Sequence, residues 1–444
     1  MRVLGSTRLW VSSLRYRFRE SLFAMPALIV VAGMGLSELT GAIDRALGAG
    51  SRLPALSMSS NAATWLLSTV AGATITTAGV VFSLTVVSLQ LASSQFSPRV
   101  MRSFIRDRLS QVVIGLLVAT FVFCVLTLRR ISPDMATPAP TVSLTVANAL
   151  TVATVLLIVA HVDRLARHLQ VGEVVRVIAR EGAETVNRVT ATSRHERESD
   201  ARTPPPGAAS LVVPAPRDGW VTQHLGIDML DAVGPGTVVR LETRTGAYIH
   251  QGEPLVTLWP PPKTPSRVAR RLTRAIEVAP MRTMQQDVDF ALRQLVDVAL
   301  RAASPAVNDP TTIVEVTLRI GSLLRKLLLS ELPPLAVERP DGRVLLRPWN
   351  LSHDEYIAHA FDQIRRDGCR DPLVAATMLR VLRMLIKHVE DNHRPEHVPA
   401  LEEQIRWLLD DLARDPALHP DERARLESIG ESPDDPADHG TRSD

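Results

Sequence analysis

Cysteine is nearly missing from this chain of 444 residues, and the two present exclude more than they allow. Cys124 lies inside a long apolar run and Cys369 far away in a polar region, so a disulfide joining them would have to occupy two compartments at once. There is no Cys-x-x-Cys pair and no Cys/His spacing of the zinc type. An excess of one charge is missing too: 50 basic residues stand against 47 acidic ones, too even a balance to suggest nucleic acid. No phosphate loop and no nucleophile with its base stands out, so the chain reads as a non-enzyme without cofactor or metal.

What is present is apolar surface, unevenly placed. The composition is 45% hydrophobic and the mean hydropathy +0.08, high for a soluble protein. Before residue 161 it gathers into runs at about 21–37, 62–91, 111–128 and 141–160. Each approaches or exceeds the roughly 20 residues a helix needs to cross a bilayer core of about 30 Å. The first, "SLFAMPALIVVAGMGLSEL", follows Arg2, Arg8, Arg15, Arg17 and Arg19 as a signal peptide would. It starts late and ends without a small-x-small cleavage site, which favours a retained helix.

Arginine placement sets the expected orientation. The N-terminal arginines, the loop with Arg99, Arg102, Arg106 and Arg108, and the segment with Arg164 and Arg167 share one side. The opposite loops hold only Arg45 and Arg52, then Arg129 and Arg130. The expectation is a multi-pass protein of a bacterial inner membrane with both termini cytoplasmic. The basic excess then sits where it meets lipid headgroups.

The second run carries an unusual stripe. Thr69, Gly72, Thr76, Gly79, Ser83 and Gln90 recur at helical spacing on one face, opposite Ile75, Val81, Leu84 and Leu91. Small residues let helices approach and hydroxyls bond across or back to the helix, so packing explains the stripe. Alternatively the stripe lines water in a homo-oligomeric pore for ions or small solutes. Arg99, Arg102, Arg106 and Arg108 would then form an electrostatic vestibule, or else simple lipid anchors. Near the end of the fourth run, His161 and Asp163 sit at the expected membrane boundary, where solvated histidines are common.

Residues 164–210 read as a helix continuing the fourth span, then a polar, Pro-rich linker from 191. Over 211–262 the pattern becomes short strands, "GWVTQH", "TVVRLET", "AYIHQ" and "PLVTLW", between Gly/Pro turns. The spacing resembles the small β-barrel of biotinyl/lipoyl carriers and hybrid motifs. Those attach their cofactor to a hairpin lysine, and residues 211–262 hold none, so a structural barrel is expected. Residues 263–413 read as a helical bundle, with Asn308 or Asp309 capping a helix that starts at Pro310. His388, His393 and His397 have poor ligand spacing. Residues 414–444 are expected to be disordered. The fold class is thus an α-helical membrane protein: four transmembrane helices in 1–163, then a cytoplasmic α+β region.

Three motifs together, "TAGVVFSLTVVSLQLASSQFSPR", "RTMQQD" and "SPAVNDPTT", resemble the bacterial membrane-protein family called domain of unknown function 2254, to about residue 415. The resemblance implies an integral membrane protein with a soluble C-terminal region and assigns no activity. Ala291 and Ala303 depart from the family pattern without touching a reactive group. Arg282, Gln286, Asp287, Asp289, Asn308 and Asp309 would converge if their two helices form a hairpin, and could hold a hard cation. The plainer expectation is a capped turn fixed by Arg282 pairing with Asp287 or Asp309. The function that follows is an oligomeric pore, or else a non-conducting sensor or scaffold binding a partner or ion through its cytoplasmic part.

Overall fold

The computed structural model describes residues 23–47, 58–95, 108–131, 140–168, 171–193, 196, 198–201, 203–205 and 207–431. It divides into two compact units, one ending at Glu173 and the other starting at Val174.

The first unit holds four helices, α1 (Ala24–Leu47), α2 (Ser60–Gln95), α3 (Arg108–Leu128) and α4 (Thr141–His168). All four are long and apolar enough to cross a membrane. α3 is the most apolar of them and the most buried, as expected of a helix that packs against each of the other three. Its Phe123 and Cys124 join Leu67 and Ala71 of α2 and Leu144 and Ala147 of α4 in one apolar cluster.

α1 runs ten residues past the expected 37 because its polar extension is satisfied within the unit. Asp44 accepts from the backbone N–H groups of Val142 (2.9 Å) and Ser143 (3.0 Å), capping α4 from outside. Arg130 bonds the Ser37 carbonyl and the Glu38 carboxylate. The close approaches lie at Gly33 and Gly115, between α1 and α3. A Cβ at Gly33 would come within 2.9 Å of the Ala119 Cβ, and one at Gly115 within 2.9 Å of the Pro26 Cα.

The second unit opens with α5 (Val171–Ser193); the expected continuation of the fourth span into it falls on residues 169 and 170, which lie outside the described residues. Strands β1 (Leu211–Pro214), β2 (Gly219–His224), β3 (Val238–Leu241), β4 (Tyr248–Ile249) and β5 (Pro254–Trp259) take up the four expected runs and add β1. They do not close a barrel. Two sheets form instead, and residues beyond 262 complete both. One has the order β1-β5-β3-β8-β7, with β7 (Ala336–Glu338) and β8 (Val344–Leu346), and β8 lies parallel to β3. The other is β4-β2-β6, with β6 (Ile276–Ala279). A shared apolar core including Val221, Leu230, Val239, Leu258, Leu272 and Leu345 joins the sheets to α6 (Pro265–Arg274). The expected linker is pinned as well: Glu198 bridges to Val337, and the Ser199 N–H donates to the Ala336 carbonyl at 3.0 Å.

The bundle consists of α7 (Val288–Ala303), α8 (Pro310–Leu327), α9 (His353–Gly368), α10 (Pro372–Asp391) and α11 (Val398–Ala413). Asp309, not Asn308, caps α8, accepting from the Thr312 N–H, and Pro310 starts the helix as expected. Asp287 caps α7 through the Phe290 N–H, and Ser352 with Glu355 forms a capping box on α9. The expected disordered tail begins instead with α12 (Pro420–Glu431), which packs on α10 and α11 and buries Leu426. Pro420 in the first turn with Asp421 and Glu422 gives this polar segment a helix start. Residues 432–444 lie outside the described part.

Candidate functional site

The six stripe residues of α2 do not face the other helices of their own unit. Thr69, Gly72, Thr76, Gly79, Ser83 and Gln90 are all exposed, while Ala63, Leu67, Ala71, Thr74, Ala78 and Val81 form the buried face. A Cβ at Gly72 or Gly79 would meet nothing within 4 Å, so neither is a close-packing point inside the chain. The Thr76 hydroxyl donates to the Gly72 carbonyl at 2.8 Å, which satisfies it on its own helix. Arg99, Arg102 and Arg106 lie outside the described residues, and Arg108 opens α3 as an exposed side chain. His161 is no solvated boundary group: it is buried, with Nδ1 3.4 Å from the Ser110 hydroxyl of α3.

In the second unit the "RTMQQD" loop acts as a clip. The Arg282 Nε and Nη2 donate to Asp287 at 2.6 and 3.1 Å, and Nη2 also to Asp289 at 2.7 Å. Both carboxylates are 2% exposed, and the guanidinium lies over the rings of Trp220 and Phe290. Asp289 also faces Nδ1 of His359 at 2.7 Å. Gly246, with φ +85°, lets the β3–β4 turn close on this network: a Cβ there would sit 2.3 Å from the Asp287 Oδ2. The Gln286 side chain accepts from the His224 N–H (3.0 Å) and donates to the His224 carbonyl (3.1 Å). Thr185 and Arg188 of α5 donate to the Met284 carbonyl.

Arg282 therefore pairs with Asp287, as the plainer expectation had it. Convergence with Asn308 and Asp309 does not occur. Those two residues start α8, beyond the far end of α7, and sixteen helical residues span about 24 Å. Nor do Asp287 and Asp289 leave room for a hard cation, because one guanidinium occupies them. Among the described residues no group of three or more His, Cys, Asp or Glu could hold a metal ion.

Beside the clip lies a cavity of about 90 Å³. It is lined by Val186, Val189, Thr190 and Thr192 of α5, by Glu196, by His224 at the end of β2 and Gly226 just after it, and by Arg244 and Thr245 of the β3–β4 turn. Gln286, Asp287 and Val288, then Leu327, Ser330, Leu332 and Pro333, and Arg347, Asn350, Leu351 and Tyr356 complete it. Two lining charges are paired and deeply buried. Arg347 donates to Glu196 at 2.6 Å, with both side chains at most 3% exposed, and its Nε donates to the Pro334 carbonyl at 3.0 Å. Asp287 belongs to the Arg282 network. Burial, helped by the Arg347 charge, pushes His224 down to about 4. Its Nδ1 accepts the Gly226 N–H at 3.0 Å, so the neutral ring carries its proton on Nε2. Burial and then the Asp287 and Asp289 charges hold the Tyr356 hydroxyl well above the usual phenol range.

Sequence reasoning singled out Gln286 and Asp287 but missed Glu196, His224, Arg244, Arg347, Asn350 and Tyr356. They come from separate segments, and no local spacing links them.

The family model described as "Predicted membrane protein (DUF2254)" matches residues 19–384. Among curated relatives, an uncharacterized protein of Mycobacterium bovis is 31% identical over 353 residues, covering 78% of this chain and 67% of its own. An uncharacterized protein of Mycobacterium tuberculosis matches to the same extent. No solved structure matches.

Proposed function

This chain belongs to the family of predicted membrane proteins called domain of unknown function 2254, and from that premise we propose that it is a membrane-anchored sensor. In this reading the four helices hold the chain in a bacterial inner membrane with both termini cytoplasmic, following the arginine bias. The second unit then binds a small polar ligand from the cytoplasm. The observation that carries the reading is the preformed cavity beside the clip, with apolar walls and a few convergent polar groups. The clip serves the site indirectly: it ties α5, β2, the β3–β4 turn and α7, four of the segments that line the cavity.

The test is a thermal-shift screen of the full-length protein in detergent against small metabolites, repeated on Thr190→Trp, which fills the cavity from α5. A compound that stabilises the wild type and not the variant supports the sensor. Stabilisation by nothing, or equally in both proteins, refutes it.

A second reading is a homo-oligomeric pore for ions or small solutes lined by α2. What favours it is that all six stripe residues face away from their own unit. Planar-bilayer currents at equal incorporation compare wild type with Ser83→Leu. Discrete steps that shrink in the variant support the pore, and silence from inserted oligomer returns the stripe to packing between copies.

A further inference from the structure

We propose that the cavity takes a small oxyanion, a carboxylate or phosphate of metabolite size, held by Arg244 with His224, Asn350 and Tyr356 as neutral partners. This rests on the ligand-binding reading and adds the chemical class.

Most of the charged groups lining the cavity are already occupied. Arg347 is neutralised by Glu196 and also donates to the Pro334 carbonyl. Asp287 is neutralised by Arg282 and accepts from the Phe290 N–H besides. Both side-chain ends of Gln286 are engaged by the His224 backbone. None of these has capacity to recognise a new ligand without breaking a buried pair.

Arg244 differs. Among the described residues no carboxylate lies within ion-pair distance of it, and its side chain donates only to the Thr245 carbonyl, at 3.2 Å. A partly buried guanidinium has five N–H donors, and one such bond leaves most of them without a partner. The other unengaged groups can also donate. The Nε2–H of neutral His224 finds no acceptor among the described residues, nor does the Tyr356 hydroxyl, which is held in its protonated, donating form. The Asn350 side-chain amide is likewise without a partner among the described residues and lines the same space.

A cavity whose open groups are a guanidinium and neutral donors complements an acceptor-rich, negatively charged molecule. The planar fork of Arg244 suits the two oxygens of a carboxylate or phosphate. A cation would face the Arg244 guanidinium, while both lining carboxylates are already paired, Glu196 with Arg347 and Asp287 with Arg282. A neutral apolar ligand would leave these donors desolvated and unpaired. A volume of about 90 Å³ holds on the order of several waters or one small organic anion.

The experiment is thermal shift and titration calorimetry on the full-length protein in detergent at constant ionic strength. The probes are succinate, inorganic phosphate and glycerol phosphate, with glucose and spermidine as neutral and cationic comparisons. Saturable stabilisation by a carboxylate or phosphate probe is expected, weakened about tenfold or more in Arg244→Gln and several-fold in Tyr356→Phe. If Arg244→Gln does not fold, Tyr356→Phe alone decides, since it removes a single oxygen. Carboxylate and phosphate arms that differ identify which oxyanion fits. Oxyanion binding unchanged in both variants overturns the assignment. Binding of glucose or spermidine alone, blocked by Thr190→Trp, overturns the oxyanion class while the sensor reading stands. No effect from these probes overturns the oxyanion proposal, and no effect from the wider screen removes the sensor as well.

Discussion

Acid should weaken the second unit through its buried histidines, His224 first. His224 is pushed down to about 4 by burial and by Arg347, whereas an unfolded histidine titrates near 6.5. Between those values the unfolded chain binds a proton that the folded chain refuses, so stability is fully present above about pH 6.5 and falls as pH drops toward 4. From a folded value of about 4 and an unfolded value near 6.5, the loss between pH 7.5 and pH 5.0 is about 2 kcal/mol. His353, also held low by burial and by His397, adds to the same window. The informative quantity is therefore the difference between wild type and His224→Gln. Urea unfolding of the detergent-solubilised protein, read by pulse proteolysis of the C-terminal unit, measures it at the two pH values. The variant should lose about 2 kcal/mol of the wild-type pH dependence. An unchanged pH dependence in His224→Gln would refute the reasoning, because it would mean the ring is solvated or charged in the folded state.

Two more expectations follow from the geometry. Arg282→Met strands the buried Asp287 carboxylate and leaves Asp289 with His359 and Arg293, so the second unit should lose about 3–5 kcal/mol, seen as a lower urea midpoint, with part recovered in the Arg282→Met/Asp287→Asn double variant. Gly115→Leu drives a side chain into the Pro26 backbone and should reduce folded yield in detergent. Gly72→Leu meets open space and should leave the monomer fold intact, any effect appearing in size-exclusion profiles of the oligomer.

The parts that could be read from sequence are those whose signal is local. Each span announces itself by about 20 apolar residues, and the Asp309-Pro310 start of α8 is a cap and a first-turn proline side by side. The strand runs after 211 are bounded by their own Gly/Pro turns. What escaped is what only folding brings together. β7 and β8 are three residues each, too short to show a period of two, yet they extend the sheet through a parallel pairing with β3 from about a hundred residues away. The polar end of α1 looked like loop because its partners, Arg130 and the start of α4, are likewise remote. Small residues on α2 suggested close packing, yet whether a glycine admits a neighbour depends on the opposing helix. Gly33 and Gly115 face one and Gly72 and Gly79 do not.

The cavity is the extreme case. Its walls come from segments spread between 186 and 356, and its chemistry depends on which charges are already paired. In sequence, Arg347 and Arg244 are two arginines among many. In the fold one is cancelled by Glu196, the other is left with a backbone carbonyl, and only the second can select an anion. Specificity here is a property of the pairing pattern, so a variant that frees Arg347, such as Glu196→Gln, should raise oxyanion affinity even as it lowers stability. Fold stability and ligand charge preference are therefore coupled at one buried ion pair. Titrating Glu196→Gln with phosphate alongside its urea midpoint would read both, and lower affinity in that variant would break the argument.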